Sequence, residues 1–245
     1  MEKKWECAVF DMDGTTLDTV GDLREAINYA MEQAGHRSDF SLRDAAAFFG
    51  SGIRVAAVRA LCLERGGALE DLERIGTEGD GTVAENATEA DRIAAIFRPY
   101  YTAHSEQQTR PYRGVTELLK KLRGAGIRTA VVSNKPDAAV QLLCEKYFPS
   151  MLDAAMGEQE PDIRRKPAPD MVFKVLEQLG ISPERAVYIG DSEVDLETAA
   201  NCGMDCIIVT WGFRSRAFLE AHGAQEIADS AGELAEMLLQ NKEGL

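Results

Sequence analysis

Hydrophobic positions recur along this chain with two different rhythms, and the change from one to the other divides it. Between residues 22 and 34, Leu23, Ile27, Ala30, Met31 and Ala34 fall at helical spacing, and Gly35 stops the run. Ser41 is placed to cap a short helix over 42–49, after which Gly50-Ser51-Gly52 breaks the chain. The spacing predicts another helix over 53–65, closed by Gly66-Gly67. Ile53, Ala57, Ala60 and Leu61 lie on one face of it, and Arg54, Arg59 and Arg65 lie away from that face. Helices are also predicted over 69–75 and 88–104, and Pro99 should kink or break the second. No strand pattern interrupts residues 19–106.

The remainder alternates. An apolar run of strand length covers 7–10, ahead of the helical block. Beyond that block, strands are predicted over 128–133, 151–156, 186–190 and 206–209. Between and around them the pattern is helical over 114–123, 136–147, 169–179, 196–202 and 231–240. Strands alternating with helices predict an α/β protein with a doubly wound parallel sheet. The core is expected at 1–17 and 108–245, with 18–107 inserted as a separate helical domain.

Composition narrows the picture. The chain has 245 residues, 45% hydrophobic and 28% charged, enough for a packed main domain and a smaller one. The 27 Lys and Arg against 41 Asp and Glu leave a net charge of −14, which opposes a broad nucleic-acid surface. A small anionic substrate held by local charges is still compatible. The five cysteines, at 7, 62, 144, 202 and 206, are odd in number and scattered, so free thiols in a reducing compartment are expected. Cys202 and Cys206 read as packing residues rather than a metal pair. No segment approaches the roughly 18–20 apolar residues of a membrane span, and a cytoplasmic protein is expected. His36, His104 and His222 fall in no motif, and oligomeric state is left open.

Polar chemistry collects where the predicted strands end. In Val9-Phe10-Asp11-Met12-Asp13-Gly14 an apolar run stops at two carboxylates and a glycine. Open α/β sheets bind ligands at the carboxyl ends of their strands. There one carboxylate can act as nucleophile or metal ligand while its neighbour is pushed towards protonation and acts as an acid. An ordinary Asx turn would use the same residues. Ser133-Asn134-Lys135 offers a hydroxyl and backbone N–H groups suited to an anionic oxygen, or simply to a helix cap. Lys166, between Arg164-Arg165 and Pro167-Ala168-Pro169, places an ammonium that can balance a phosphate and a carboxylate together. Arg164 and Arg165 read as solvated. Gly190-Asp191, followed by Asp195, supplies hard oxygen donors of the kind magnesium uses, although Asp195 also reads as a helix cap.

These four stretches, in this order, resemble the haloacid dehalogenase superfamily of phosphatases. Its Asp-x-Asp-Gly-Thr motif is matched at 11–15, its strand-end Ser or Thr at Ser133, its Lys before proline at Lys166, and its Gly-Asp-x-x-x-Asp at 190–195. The resemblance implies a Rossmann-like core with a C1-type helical cap, and a Mg²⁺-dependent phosphomonoester hydrolase. By that likeness Asp11 is the nucleophile that forms an aspartyl-phosphate, and Asp13 is the acid and then the base. Mg²⁺ would be held by Asp11, the Asp13 carbonyl and Asp191, with Asp195 as ligand or support. Ser133, Asn134 and Lys166 would hold phosphoryl oxygens of a small phosphorylated metabolite.

Asp13 also separates the chain from the similar ion-pumping ATPases, which carry Thr there, and from the true dehalogenases, which lack the second Asp. Residues 49–52, 59–61, 109–112 and 210–214 are similar to the phosphoglycolate phosphatase-like subgroup, with Arg113 where that subgroup usually has a second proline. Gly50, Gly52 and Arg54 are the expected cap specificity residues, Arg54 either pairing with a substrate carboxylate or lying in solvent. Alternatives are a pyrophosphatase, a nucleotide or sugar phosphatase, a phosphomutase of the β-phosphoglucomutase type, or a non-catalytic binding protein on the same fold.

Overall fold

The computed structural model describes residues 5–77, 79–159 and 162–239. By its internal contacts the chain divides into two compact units, Met1–Asp18 with Arg110–Leu245, and Thr19–Thr109.

The first unit opens with β1 (Cys7–Phe10) and β2 (Leu17–Asp18). The second holds α1 (Val20–Gln33), α2 (Leu42–Phe48), α3 (Ile53–Glu64), a 3₁₀ turn at Leu69–Arg74, α4 (Thr82–Glu85) and α5 (Ala87–His104). The chain then returns to the first unit with β3 (Arg110–Pro111), α6 (Val115–Gly124), β4 (Arg128–Pro136), α7 (Asp137–Tyr147) and β5 (Ala154–Glu158). It finishes with α8 (Asp170–Leu179), β6 (Ala186–Gly190), α9 (Glu193–Cys202), β7 (Asp205–Val209), α10 (Arg216–Ala221), β8 (Glu226–Ala228) and α11 (Ala231–Leu239). The predicted helical end at residue 240 lies outside the described residues.

Six strands form one sheet in the order β5-β4-β1-β6-β7-β8, with every pairing parallel. A parallel strand covered by helices on both faces must be apolar on both, which is why Cys7 to Phe10 reads as an unbroken hydrophobic run. Ala8 and Phe10 pack with residues of α6, α7 and α11, while Cys7 and Val9 pack with α8 and α9. β1 is flanked by β4 and β6, so the strand order reverses beside it and its carboxyl end opens onto a switch-point crevice. A second, two-stranded pairing joins β2 to β3 antiparallel, with Asp18 and Arg110 3.3 Å apart.

Several elements differ from the sequence pattern, each for a physical reason. β4 runs on through Ser133 and Asn134 to Pro136, and α7 begins only at Asp137, so the Ser-Asn-Lys stretch ends a strand rather than opening a helix. β5 lies at Ala154–Glu158, later than the apolar run that suggested it, because its register is set by pairing with β4. β2, β3, β8, α4 and α10 are too short to show a period. α5 continues through Pro99 unbroken. Proline removes the donor to the Ala95 carbonyl, but Ile93, Ala94, Phe97 and Tyr101, on both sides of it, are buried in a helix that packs on α1 and α3.

The largest correction concerns α3. The spacing puts Arg59 away from the face of Ile53, Ala57, Ala60 and Leu61, yet it is 2% exposed. Its guanidinium donates to the Ala47 and Phe48 carbonyls at 3.2 Å each and to the Ile75 carbonyl at 3.0 Å. It thereby satisfies carbonyls at the end of α2 that the helix itself leaves without donors. Replacing Arg59 by Leu strands those carbonyls and is expected to cost roughly 2–3 kcal/mol in denaturant unfolding, against less than about 1 kcal/mol for Arg54→Ala on the exposed face. Equal costs for the two variants would refute a structural role for Arg59.

Candidate active site

Asp11 leaves β1 at its carboxyl end, its N–H donating to the Ile189 carbonyl of β6 at 2.8 Å. The next residues turn tightly, with the Met12 carbonyl accepting from the N–H groups of Thr16 and Leu17 at 3.0 and 2.9 Å. Gly14 makes this possible in two ways. Its φ of +86° lies in the region only glycine enters freely, and a Cβ there would stand 2.2 Å from Asp191 Oδ2. The loop after β1 therefore lies directly against the loop after β6.

Lys166 occupies the centre. Its Nζ is 2.7 Å from Asp11 Oδ1 and 2.9 Å from Asp195 Oδ1, and the residue is 3% exposed. The Asn134 side chain holds the backbone of Lys166 at two points, accepting its N–H at 2.8 Å and donating to its carbonyl at 3.0 Å. Asp195 Oδ1 also accepts from the Tyr188 hydroxyl at 3.3 Å. Its Oδ2 accepts from the Asp191 and Ser192 N–H groups at 3.1 Å each and from the Ser192 hydroxyl at 2.7 Å. Ser192, not Asp195, is the N-cap of α9, and its bonds to Asp195 start that helix at Glu193, earlier than its apolar pattern.

Asp191 is held from two sides, by the Thr15 hydroxyl at 3.1 Å and the Phe213 N–H at 2.7 Å. Trp211 donates from Nε1 to the Thr15 carbonyl at 3.0 Å, and Arg214 pairs with Glu193 at 2.9 Å, so the loop after β7 braces both neighbours. Asp13 pairs with Lys135, whose Nζ is 3.1 Å away and whose side chain is 2% exposed. Ser133 is buried, and its hydroxyl accepts from the Lys135 N–H at 3.2 Å.

Among the described residues, Asp11, Asp191 and Asp195 place carboxylate oxygens within 4.8 Å of one another, all buried. Burial pushes the Asp11 pKa well above the usual carboxylate range. Lys166 pulls it back, and the charges of Asp195, Asp191 and Asp13 add to the rise. Burial and then the Asp195 charge raise Asp191 from 3.8 to about 7, against the Phe213 N–H, Arg214 and Thr15, which favour its ionised form. Burial works against the Lys166 ammonium, but Asp11 and Asp195 outweigh it and hold its pKa well above the ordinary lysine value. Three buried carboxylates this close together offer hard oxygen donors of the kind that hold a metal cation.

Of the residues expected from sequence, Asp11, Asp13, Ser133, Asn134, Lys166, Asp191 and Asp195 all lie at the carboxyl ends of β1, β4 and β6 or in the loops that reach them. Gly50, Gly52 and Arg54 belong to the helical unit, where Gly52 precedes α3 and Arg54 pairs with Asp91 at 2.5 Å on an exposed surface. Sequence reasoning gave no role to the Lys135 ammonium or to Tyr188, while Phe213, which with Trp211 follows the last strand pattern and could lie near the site or pack in the core, does reach Asp191 through its N–H. Of the first two, Lys135, a cation at a strand end beside Ser133, left a readable signal.

An open parallel sheet with a lysine and buried carboxylates at its switch point places a polar site where α/β proteins bind their ligands. The chain belongs to the haloacid dehalogenase-like hydrolase family, which matches it over residues 8–209. It is 30% identical over 216 residues to a phosphoglycolate phosphatase of Mesorhizobium japonicum, covering 85% of this chain and 84% of that protein. It is 32% identical over 210 residues to phosphoglycolate phosphatase 1 of Pseudomonas aeruginosa, covering 84% of this chain and 69% of that one. A crystal structure from Lactobacillus delbrueckii subsp. bulgaricus, provisionally assigned as a phosphoglycolate phosphatase, superposes with a TM-score of 0.91 at 49% identity, covering 97% of this chain and 100% of that one. The chain is thus an enzyme of the family's phosphatase type.

Without a bound cation, an Asp191 pKa of about 7 in the fold and 3.8 outside it means that the folded state holds the extra proton. That contribution to stability is complete below about pH 4 and is lost as pH rises through about 7. In chelator, thermal unfolding from about pH 4.5 to 7.5 should therefore show wild type losing stability relative to Asp191→Asn as pH rises. A relative gain would mean the ionised form is the favoured one.

Proposed function

We propose that this chain is a Mg²⁺-dependent phosphomonoester hydrolase that works through a phosphoryl–Asp11 intermediate, with phosphoglycolate or a similarly small organic phosphate as substrate. The observation that carries the reading is the Lys166 ammonium 2.7 Å from Asp11 within the buried carboxylate cluster. An ammonium so placed favours the ionised form of Asp11, against the burial that opposes it, and balances the oxygens of an incoming phosphoryl group. The names of the curated relatives support phosphoglycolate as the first substrate to test.

In the first half-reaction an Asp11 oxygen bonds to phosphorus as the ester P–O bond breaks. Asp13 gives a proton to the departing alkoxide. In the second half-reaction Asp13 takes a proton from water, the water oxygen bonds to phosphorus, and the bond to Asp11 breaks. Ser133, the Asn134 N–H and Lys166 bind the phosphoryl oxygens. Asp11, the Asp13 carbonyl and Asp191 would hold Mg²⁺, which offsets charge on the transferring phosphoryl group. Asp195, whose two oxygens already accept from Lys166, Tyr188, Ser192 and the Asp191 N–H, supports that site from beside it. The helical unit serves as the cap that excludes bulk water during transfer.

Initial-rate phosphate release across a panel of small phosphoesters, with Mg²⁺ and with chelator, tests the reading. Phosphoglycolate should stand above the panel, and chelation should stop release. Asp11→Asn should lower kcat by at least about 10³-fold while thermal unfolding shows the fold retained. Turnover that survives in this variant would remove Asp11 as nucleophile, and a flat metal-dependent profile would remove phosphoglycolate as the preferred substrate.

A further inference from the structure

Two lysines are buried at the carboxyl ends of the central strands, and each faces a different aspartate of the first loop. Lys166 takes Asp11 and Asp195, whereas Lys135 takes Asp13, with Nζ 3.1 Å from Oδ1. The Lys135 side chain is 2% exposed and that of Asp13 is 18% exposed, so the ammonium is shielded from solvent while the carboxylate remains partly open. An ion pair screened from water holds its geometry more firmly than one in solvent.

The backbone is arranged to deliver this lysine. The pairing of β4 with β5 is regular to Val132 and then shifts before Pro136. Within the shifted segment the Lys135 N–H bonds back to the Ser133 hydroxyl at 3.2 Å, a local turn that a regular strand does not make. Opposite it, Gly157 of β5 passes so close that a Cβ would lie 2.6 Å from the Lys135 carbonyl and 2.5 Å from the Asp137 Cα. The Gly157 N–H is in turn fixed by Asp137 Oδ1 at 2.8 Å. The irregularity that aims Lys135 is thus packed and hydrogen-bonded.

We propose that Lys135 is a positioning residue for Asp13, holding its carboxyl group where it meets the departing ester oxygen. The inference rests on the phosphomonoesterase reading and deepens it. A general acid works only within about 2.6–3.2 Å of the atom it protonates, so a short side chain with two rotatable bonds gains from a second anchor. Lys135 acts through Asp13 and has no contact of its own with the transferring phosphorus in this reading.

The consequence is a dependence on the leaving group. p-Nitrophenolate departs without help, whereas an alkoxide such as that from ethyl phosphate needs the proton. kcat/KM reports the steps up to departure, so it is compared for the two esters in Lys135→Met, which removes the charge at similar length, and in Lys135→Arg, which keeps it. Lys135→Met should lower kcat/KM for ethyl phosphate about 30-fold more than for p-nitrophenyl phosphate, and Lys135→Arg should recover part of that gap. Placed on Asp13→Asn, Lys135→Met should add little further loss, because the pair acts as one unit. Equal losses on both esters, or full additivity with Asp13→Asn, would overturn the proposal. If Lys135→Met does not fold, as judged by thermal unfolding, Lys135→Gln carries the same comparison. Wild-type protein that releases phosphate from neither ester would refute the phosphomonoesterase reading itself, an outcome distinct from those that separate the roles of Lys135.

Discussion

The Lys166 ammonium, shared between Asp11 and Asp195 and almost sealed from water, is the interaction on which the core unit's polar centre depends. Three carboxylates buried beside one cation need further hydrogen-bond partners, and the surrounding structure supplies them. Asn134 ties the Lys166 backbone, the α9 cap occupies Asp195, and Thr15 and the Phe213 N–H hold Asp191. Asn134 comes from the end of β4, and the other partners come from the segments after β1, β6 and β7. Parallel topology is what brings these loops together, because every strand of the sheet delivers its carboxyl end to the same edge. The negative charge that remains gives the cluster its fit to a divalent cation.

The helical unit solves a different problem. Its described residues form no sheet, and a few buried side chains tie its helices and connections together. Arg59 caps carbonyls from two segments, and the Asp22 carboxylate accepts the Gln108 and Thr109 N–H groups at 2.9 Å each, together with the Thr109 hydroxyl at 2.7 Å. Asp22 thus ties the first turn of α1 to the segment where the chain leaves the unit. His36 similarly bridges Glu64 and Glu89, with both ring nitrogens 2.9 Å from a carboxylate. Neither Asp22 nor His36 lies in a recognisable motif, because their partners are distant in sequence.

What the sequence alone determined was the alternation of elements and the residues at the strand ends. Asp11, Asp13, Lys166, Asp191 and Asp195 were legible because an apolar strand that stops at a charged residue is unusual, and these five charges follow two strand patterns and one proline-bounded loop. Long helices such as α1, α3 and α8 were legible for the same reason: many residues share one period.

Tertiary structure decided what depends on partners far along the chain. It buried Arg59, carried α5 through Pro99, set the register of β5 and paired Asp13 with Lys135. It also made Asp195 a shared acceptor for Lys166 and the α9 cap, where sequence left ligand and cap open. Local pattern records which face of an element is apolar. Which charge meets which is fixed only when parallel strands bring their loops to one edge, since electrostatic partners are chosen by distance in space and not along the chain.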